Sequence, residues 1–539
     1  MPIWLIDFFR FILVYLPAIL LAVPVMVWAY LELKTDRAWS HLFVVVSSLA
    51  LAIALVMVAA NFPVSTQYIW SGARLAPAIA WVKGYDLYYP VDRGPVLVQM
   101  YGPVSAFVYV PTALMAHPTT AILLGACINL LLYFLPALWF VACCRRRQSW
   151  PVLFAAMVGF ILISSRQFVL AATATLVTID APALGLAACG MALLARGEVG
   201  KSWRLGFQCG TFAALCAWTK LTFAPVGVAM AVYVLMTARP RDALRFIAAL
   251  AIAGGVVTGV FIAWFGPELL VQNIVVPSKQ SWEWPQLTPP AALLRGVYYM
   301  WKDAWPLDWI VLVAVILGMI GPWPRAATFR DWVKANPWLL PLLAAILVFP
   351  TSLLARVKIG GIWNNVSASG YFALLAAVCA LMSRAETGNE PLPAANRVAR
   401  VALLTLLAFG CWIDRESIGK TADGLAMWSH LDENDHERFY RLTAEHPGEV
   451  YVPNFPLSSL MSEGRLYHFS AGVDSLAWAG YPMSEEHFRA WLPQKLKAIL
   501  VFRYATPPFL MERFPDFDQD ANVPSIPLWK AMTRDGHFP

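Results

Sequence analysis

Charged residues are scarce in this chain. Lysine, arginine, aspartate and glutamate make up 14% of the 539 residues, and hydrophobic residues make up 59%. A soluble domain has about 25% charged and about 45–50% apolar residues, so the composition excludes a soluble protein and indicates an integral membrane protein. The formal net charge of +7 comes from basic residues in short loops. That pattern is typical of membrane topology, and we expect no nucleic acid as a partner.

Signatures of cofactor-dependent chemistry are also missing. The sequence contains no Gly-x-Ser-x-Gly motif, P-loop, dinucleotide-binding fingerprint or zinc-binding histidine pair. Its eight cysteines lie in or beside apolar segments. They form neither a disulfide framework nor a zinc-binding spacing, so we expect no metal and no cofactor.

Long apolar runs occupy residues 1–413. The run from Phe11 is too long and continuous for a cleaved signal peptide, and we expect it to remain as a span. A spanning helix needs about 20 apolar residues, which gives about a dozen candidates and an all-α polytopic membrane bundle. The candidates are Phe11–Tyr30, His41–Ala60, Thr119–Ala142, Pro151–Ser165, Ala181–Ala195, Leu205–Thr219, Thr222–Met236, Phe246–Phe265, Leu307–Pro322, Pro337–Ser352, Ser369–Met382 and Val401–Ile413.

Basic residues fall in alternate loops, which we therefore place in the cytoplasm. This assignment requires that Tyr101–Ala116 does not cross the membrane, and we predict an interfacial helix there. Residues 61–118 then form an outer loop with interfacial helices. The other outward segments are Arg166–Asp180, the turn at Lys220, Gly266–Pro306, Leu353–Ala368 and everything after Asp414.

The composition becomes polar and mixed over residues 414–539. Short β-like runs at Glu449–Val452 and Lys497–Phe502 are separated by turns and by a helix-like segment. A segment of roughly 125 residues can hold a modest core of its own. We predict a small C-terminal α/β domain outside the membrane.

Three aspartates in the outward loops are candidate catalytic residues. Asp92 lies in a loop rich in proline and glycine, and its carboxylate can act as a general base on an incoming hydroxyl; a surface pair with Arg93 is the alternative. Asp86 suits a turn or cap as well as a base. Asp180 opens an apolar segment, where it suits a helix N-cap, and it lies on the same side of the membrane as Asp92. Two acids in one site are a common catalytic arrangement.

Three basic residues are candidate contacts for an anion. Lys220, at a tight outer turn, either snorkels to the interface or contacts a lipid phosphate. Arg356 and Lys358 run against the positive-inside trend, and a lipid phosphate or pyrophosphate explains them. Gly360 and Gly361 let backbone amides approach such an anion.

Tryptophans and tyrosines cluster around Trp282 and Trp284. Such a cluster is typical of an interfacial belt. Aromatic faces also suit the stacking of sugar rings, and the two interpretations are compatible.

The order of these motifs resembles that of the multi-span GT-C glycosyltransferases. That superfamily includes the protein mannosyltransferases, the lipid A aminoarabinose transferases and the mycobacterial lipid mannosyl- and arabinosyltransferases. The resemblance covers roughly Asn61–Met382, and an outer C-terminal domain is common in the superfamily. It is carried by Gly84-Tyr-Asp-Leu-Tyr88, Tyr101-Gly-Pro103, Thr-Ile-Asp180, Trp-Thr-Lys220 and Lys358-Ile-Gly-Gly361 with Asn364.

The resemblance implies a polyprenyl-phosphate sugar donor and an acid in the first outer loop that deprotonates the acceptor, which attacks with inversion. In this chain the base would be Asp92, with Asp86 in reserve. The superfamily often has this acid soon after the preceding span, where this chain reads Ala60-Asn61-Phe62-Pro63. The expected donor-phosphate contacts are Lys220, Arg356 and Lys358, and the expected substrate-lining residues are Tyr88, Tyr101, Trp282, Trp284 and Asn364.

Together these expectations describe an inverting glycosyltransferase of the bacterial inner membrane, with its active site facing the periplasm. Its acceptor would be a glycan, lipid or protein, and it would need neither nucleotide nor metal. Two alternatives stay open: a lipid-linked oligosaccharide polymerase or ligase, and a flippase or transporter without covalent chemistry. A transporter predicts polar residues near span midplanes and inverted repeats, whereas the charges here lie at span ends.

Overall fold

Helices dominate the chain as far as Trp412. The computed structural model describes residues 31–533, leaving out residues 32, 34–35, 98–99, 146–148, 198–202, 306, 321–327, 386–393, 413–416, 503–509, 511–512, 515 and 523–528. In chain order the α-helices of this part are α1 (Asp36–Asn61), α2 (Ile69–Val82), α3 (Val104–Phe107), α4 (Pro118–Cys143), α5 (Trp150–Arg166), α6 (Phe168–Thr175), α7 (Asp180–Arg196), α8 (Trp203–Ala217), α9 (Pro225–Thr237), α10 (Pro240–Phe265), α11 (Glu268–Leu270), α12 (Val276–Lys279), α13 (Pro289–Ala304), α14 (Leu307–Ile320), α15 (Phe329–Lys334), α16 (Leu339–Arg356), α17 (Ser367–Ala385) and α18 (Ala394–Trp412). Short 3-10 helices form at Pro63–Thr66, Val110–Leu114, Leu221–Phe223 and Trp363–Val366, and a π-helical turn forms at Val271–Val275.

Several helices are long and apolar enough to cross a membrane. Among the described residues there are five, the helices α4, α10 and α16 and the longer helical stretches that contain α1 and α17. The pair α5 and α6, bent by 94°, adds a sixth if it forms one span. The chain is therefore a multi-pass membrane protein.

The predicted number of about twelve spans is not confirmed. The segment Phe11–Tyr30 lies outside the described residues, and each of the other predicted spans overlaps a helix. However, α7, α8, α9 and α14 have only 17, 15, 13 and 14 residues, fewer than the ~20 that a full crossing takes. The predicted spans in the described residues therefore mark helices of the bundle, and their number stays a prediction.

The loop of residues 61–118 differs from its prediction. The predicted interfacial helix over Tyr101–Ala116 consists of two short helices, α3 and the 3-10 helix Val110–Leu114. Pro103 and Pro111 lie at the two starts, and proline, which lacks an N–H, interrupts a helix in this way. The longer helix of this loop is α2, which the sequence did not indicate and which is buried over residues 71–80.

A polar α/β segment follows the bundle, as predicted. Its helices are α19 (Ser417–Ala426), α20 (Asp435–Glu445), α21 (Pro456–Ser462), α22 (Ser470–Trp478) and α23 (Glu485–Ala490), with a 3-10 helix at Met427–Glu433. Its strands β1 (Val450–Tyr451), β2 (Ala498–Phe502), β3 (Asp518–Asn522) and β4 (Trp529–Thr533) form one sheet in the order β1-β2-β4-β3. Strands β1 and β2 are parallel and the other pairs antiparallel. The domain boundary predicted between residues 413 and 414 lies outside the described residues.

The α/β segment is anchored to the bundle by a buried carboxylate. Glu437 of α20 is 2% exposed. Its Oε1 lies 3.0 Å from His117 Nδ1, and its Oε2 accepts a hydrogen bond of 3.1 Å from Thr119 Oγ1 at the start of α4. Asn434 Nδ2 also donates to Thr119 Oγ1 over 2.7 Å. A buried carboxylate is costly without partners, and these bonds supply them. They also join the α/β segment to the start of α4.

Candidate active site

Four polar side chains are buried together where three turns of the bundle meet. Lys220 Nζ donates to Asp180 Oδ1 over 2.8 Å and to Asn365 Oδ1 over 3.2 Å. Asn364 Nδ2 donates to the other carboxylate oxygen, Asp180 Oδ2, over 3.3 Å. Asp180 is 2% exposed and Lys220 is 7% exposed. A buried charge requires a partner and hydrogen bonds, and each charge in this group has both.

The local structure explains why these side chains converge. Asp180 is the first residue of α7, Lys220 lies between α8 and the 3-10 helix Leu221–Phe223, and both asparagines belong to the 3-10 helix before α17. The N-cap interpretation of Asp180 is wrong, because Ile179 occupies the cap position and no side chain bonds there. The snorkelling interpretation of Lys220 is also wrong, because its ammonium is turned inward to Asp180.

Side chains from the loop of residues 61–118 and from α4 bind the backbone just before Asp180. Arg74 Nη1 donates to Val177 O over 2.8 Å. Asn129 Nδ2 donates to Leu176 O over 2.7 Å, and Tyr109 Oη donates to Thr178 O over 2.7 Å. Burial raises the pKa of Tyr109 far above its usual range, so this hydroxyl stays protonated and remains a donor. These bonds fix the backbone from which the Asp180 side chain projects.

Arg74 adds a positive charge that no acid balances. Its side chain lies on α2, it is 8% exposed, and its guanidinium lies 5.7 Å from the ring centre of Tyr68 and 6.0 Å from that of Trp70. No carboxylate of the described chain comes within ion-pair distance, and Arg74 Nε has no hydrogen-bond partner there. Because Lys220 and Asp180 neutralise each other, Arg74 leaves this region positive and suited to an anion.

A Tyr101-Gly102 turn brings the loop of residues 61–118 against the Lys220 turn. Gly102 packs on the backbone carbonyl of Trp218, where a side-chain Cβ would collide with it. Tyr88, which is buried, donates from Oη to Tyr101 O over 2.8 Å. The predicted lining residue Tyr101 therefore lies next to the turn that carries Lys220, and Tyr88 supports it.

An apolar cavity of about 490 Å³ lies beside this group, between α13, α14, α16 and α17. Met300, Leu307, Phe349 and Gly370 are among its walls. Val366 also lines it and directly follows Asn365 in the 3-10 helix Trp363–Val366. This short helix thus lines the cavity through Val366 and binds Lys220 through Asn365.

The predicted bases in the loop of residues 61–118 occupy other places. Asp92 is exposed on a turn in which Arg93 N donates to Pro90 O over 3.1 Å. Asp86 is also exposed, and its backbone N–H donates to Tyr89 Oη over 3.0 Å. Within the described structure neither side chain shares a hydrogen bond or ion pair with Asp180, so the structure does not assemble the expected two-acid site.

Arg356 and Lys358 serve local contacts. Arg356 Nη1 donates to Gly361 O over 2.7 Å, and its Nε lies 3.7 Å from Asp303 Oδ2. Lys358 Nζ donates to Gln280 O over 2.6 Å. Gly361 N donates to Lys358 O over 2.8 Å, so this amide is not free to bind an anion as predicted. Within the described chain, no hydrogen bond or ion pair joins Arg356 or Lys358 to Lys220.

Trp282 and Trp284 stack with cations of the same region. Lys358 Nζ lies 5.2 Å from the ring centre of Trp282. Trp284 stacks on Tyr299 with ring centres 5.5 Å apart, and the Arg295 guanidinium lies 4.8 Å from its ring centre. Their role as substrate-lining residues stays a prediction.

Sequence reasoning missed Arg74, Tyr109, Asn129 and Asn365. Arg74 interrupts an apolar run, IWSGARLAPAIAWV, and that lone charge was the available signal. Asn365, which directly follows the predicted lining residue Asn364, is buried and binds Lys220. No group of three or more potential metal ligands occurs among the described residues.

Comparisons with known proteins found similar solved structures. No protein-family model matches the chain, and no curated protein matches it significantly. Its structure is similar to that of ArnT from Cupriavidus metallidurans bound to undecaprenyl phosphate, with 11% identity, a TM-score of 0.49, and coverage of 94% of this chain and 100% of that one.

Two structures from Archaeoglobus fulgidus are also similar. They are the oligosaccharyltransferase in its apo form, with 9% identity, a TM-score of 0.40 and coverage of 86% and 69%, and the oligosaccharyltransferase AglB with an inhibitory peptide and a dolichol-phosphate, with 9% identity, a TM-score of 0.39 and coverage of 86% and 70%. The TM-scores of these three structures are all below 0.5.

Proposed function

We propose that this protein is an inverting glycosyltransferase that moves a sugar from a polyprenyl-phosphate donor to a cell-envelope glycan, lipid or protein. We place it in the bacterial inner membrane with the active site facing the periplasm. The observation that carries the proposal is the buried Lys220–Asp180 pair, which bonds to the same short helix that lines an apolar cavity. Arg74, which has no acid partner in the described chain, bonds to the loop just before Asp180.

The cavity suits the lipid part of the donor. Its walls are mostly apolar side chains from α13, α14, α16 and α17. Its volume of about 490 Å³ lies in the range of roughly 300–1,000 Å³ that is usual for ligand sites. An isoprenoid chain in this cavity keeps its methyl groups away from water, which is favourable.

The charges suit the phosphate of the donor. A guanidinium forms short, strong hydrogen bonds with phosphate oxygens, and Arg74 has an Nε without a partner in the described chain. Lys220 adds a second cation in the same region, although Asp180 compensates its charge. We assign Arg74 as a phosphate contact in addition to the predicted Lys220.

The carboxylate of Asp180 suits the base. The acceptor hydroxyl attacks the anomeric carbon, its proton passes to the carboxylate, and the carbon–oxygen bond to phosphate breaks, so polyprenyl phosphate leaves with the bonding electrons. Lys220 and Asn364 each donate a hydrogen bond to one oxygen of this carboxylate and so orient it. Asp92, which the family resemblance indicates, is the competing base.

Turnover of the purified full-length chain tests this proposal. Nanodiscs containing the protein receive radiolabelled polyprenyl-phosphate sugars with membrane extract as the acceptor source, and released polyprenyl phosphate is measured. We expect Asp180→Asn to lower kcat by about 10²–10⁴-fold, as loss of a general base does, with donor binding retained.

Two further variants and a measurement of lipid transfer separate the proposal from its alternatives. Glu283→Gln removes an exposed carboxylate of an outward loop and should retain full turnover. Loss of turnover in Asp92→Asn but not in Asp180→Asn would assign the base to Asp92. Transfer of intact labelled lipid across the bilayer, without release of polyprenyl phosphate, would contradict the transferase and favour a flippase.

A further inference from the structure

A second cavity, separate from the Asp180 group, lies at the end of α10. It has a volume of about 410 Å³. Within the described chain it is lined by Trp81, Gly84, Tyr85, Asp86, Leu87, Tyr88, Trp264 and Phe265. Its volume lies in the roughly 300–1,000 Å³ range of small-molecule sites, and nothing in the proposed transfer reaction uses it.

Aromatic rings form one side of this cavity. Trp264 and Phe265 stack with ring centres 5.1 Å apart and 12° between their planes. Trp81 meets Trp264 edge-on at 6.2 Å, and Tyr88 meets Phe265 edge-on at 5.4 Å. Because the other rings fix it in place while it remains 59% exposed, Trp264 offers a rigid face to a ligand.

One acid lines the cavity and one base precedes its wall in the sequence. Asp86 is a lining residue, and Lys83 directly precedes the lining residue Gly84. Both side chains are exposed, and neither forms an ion pair in the described part of the chain. Gly84 separates them with φ of +91°, a conformation that suits glycine, and a Cβ there would meet nothing. The bond from Asp86 N to Tyr89 Oη and that from Leu466 N to Tyr85 Oη hold the rim in shape.

The cavity also has a route from the bilayer. Ile252, Val256, Val260 and Trp264 are exposed and recur every four residues along α10. Residues four apart share one face of a helix, so they form a continuous apolar stripe that ends at the cavity. Since α10 is long and apolar enough to span the membrane, this stripe faces lipid chains.

We propose that this cavity binds the headgroup of an amine-bearing membrane phospholipid. The lipid ammonium lies between the Asp86 carboxylate and the face of Trp264, where an ion pair and a cation–π interaction both favour it. The lipid phosphate faces Lys83, and one acyl chain follows the stripe on α10. Lys83 and Asp86 thus offer one charge of each sign to the two charges of a zwitterionic headgroup.

Lipid retention tests this site without any sugar donor. The full chain is reconstituted in nanodiscs of equal parts phosphatidylethanolamine and phosphatidylglycerol, and retained lipids are counted by native mass spectrometry. We expect phosphatidylethanolamine to be enriched roughly three- to tenfold, as one exposed ion pair with one cation–π contact would give. Equal retention of the two lipids by the unaltered protein overturns the proposal.

Matched variants localise the effect. Asp86→Asn and Trp264→Ala should each reduce the enrichment, and Trp264→Phe should retain part of it. Lys83→Gln should lower retention of both lipids, because both carry the phosphate. Glu283→Gln and Trp309→Ala remove an exposed acid and an exposed tryptophan elsewhere and should change nothing. An enrichment unchanged in Asp86→Asn and Trp264→Ala would place the lipid at another surface and contradict this site.

Discussion

At the scale of single residues, the candidate site depends on which buried charges are compensated. Lys220 and Asp180 satisfy each other at 2.8 Å. Arg74 is buried to a similar extent. Its partners in the described chain are one backbone carbonyl and two aromatic rings. A buried guanidinium without an acid is costly, and that cost is recovered when an anion binds.

Replacing Arg74 should therefore weaken donor binding more than it weakens chemistry. We expect Arg74→Gln to raise the KM for the polyprenyl-phosphate donor about 10- to 100-fold, since a hydrogen bond to a charged group contributes about 1.5–3 kcal/mol. The thermal stability of the apo protein should stay equal or rise, because a buried unpaired charge is removed. Kinetics and thermal unfolding of the same preparation measure both effects.

The control for this prediction is Arg93→Gln, which removes an exposed cation from the same loop. It should leave KM unchanged. A fall in kcat with an unaltered KM in Arg74→Gln would instead assign Arg74 to transition-state stabilisation or to support of the loop before Asp180.

At the scale of elements, the site is assembled by turns that only glycine allows to come close. The Tyr101-Gly102 turn and the turn between α8 and Lys220 meet at Gly102 and Trp218. They are more than a hundred residues apart in the sequence. Nothing in the local pattern of either turn indicates the other as its partner.

Substituting Gly102 should therefore separate these two turns. We expect Gly102→Ala to lower the thermal unfolding temperature and the turnover together, because its Cβ would collide with the Trp218 carbonyl and displace Lys220 from Asp180. The matched control is Gly254→Ala in α10, where a Cβ meets nothing. Alanine is the better helix former, so this control should be neutral or stabilising. Normal turnover in Gly102→Ala would show that the two turns can shift without harm.

At the scale of the whole molecule, the α/β segment and the bundle are joined through buried polar groups. His436 of α20 packs against Gly72 of α2, and its Nε2 lies 3.3 Å from Tyr68 O. Burial lowers the pKa of His436 from 6.5 to about 4. The same cause lowers the pKa of His468, which accepts a hydrogen bond from Val96 N, to about 4.

These two histidines make the docking of the segment sensitive to acid. The unfolded chain binds their protons near pH 6.5 and the folded chain only near pH 4. The stability from the neutral rings is therefore fully present above about pH 6.5 and falls as the pH drops toward 4. We expect limited proteolysis of the α/β segment to accelerate over this interval.

A variant pair tests the cause of this acid sensitivity. His436→Phe should make the acceleration smaller but not abolish it, because His468 still titrates. His430→Gln removes a histidine whose side chain is 63% exposed and should leave the pH profile unchanged. A proteolysis rate that stays constant from pH 7 to pH 4 would contradict the role of both buried rings.

The sequence indicated the members of the site better than their arrangement. Asp180, Lys220 and Asn364 were named because each lies at the end of an apolar run or in a family-like motif, and the structure brings them together. Asp92 was favoured as a base from its loop composition and from the family resemblance, yet that loop turns its carboxylate to solvent. Loop composition indicates a turn and contains no information on which neighbour the turn faces.

The sequence by itself determined that the chain is a helical membrane protein with a polar α/β segment after it. Apolar runs and the change in composition act locally, through the cost of exposing backbone groups to lipid and apolar groups to water. The tertiary structure decides that Arg74 has no acid partner in the described chain and that Asn365 completes the Lys220 group. These features depend on contacts between segments far apart in the chain. A buried charge is costly without a partner, and the packing determines which partner lies within reach.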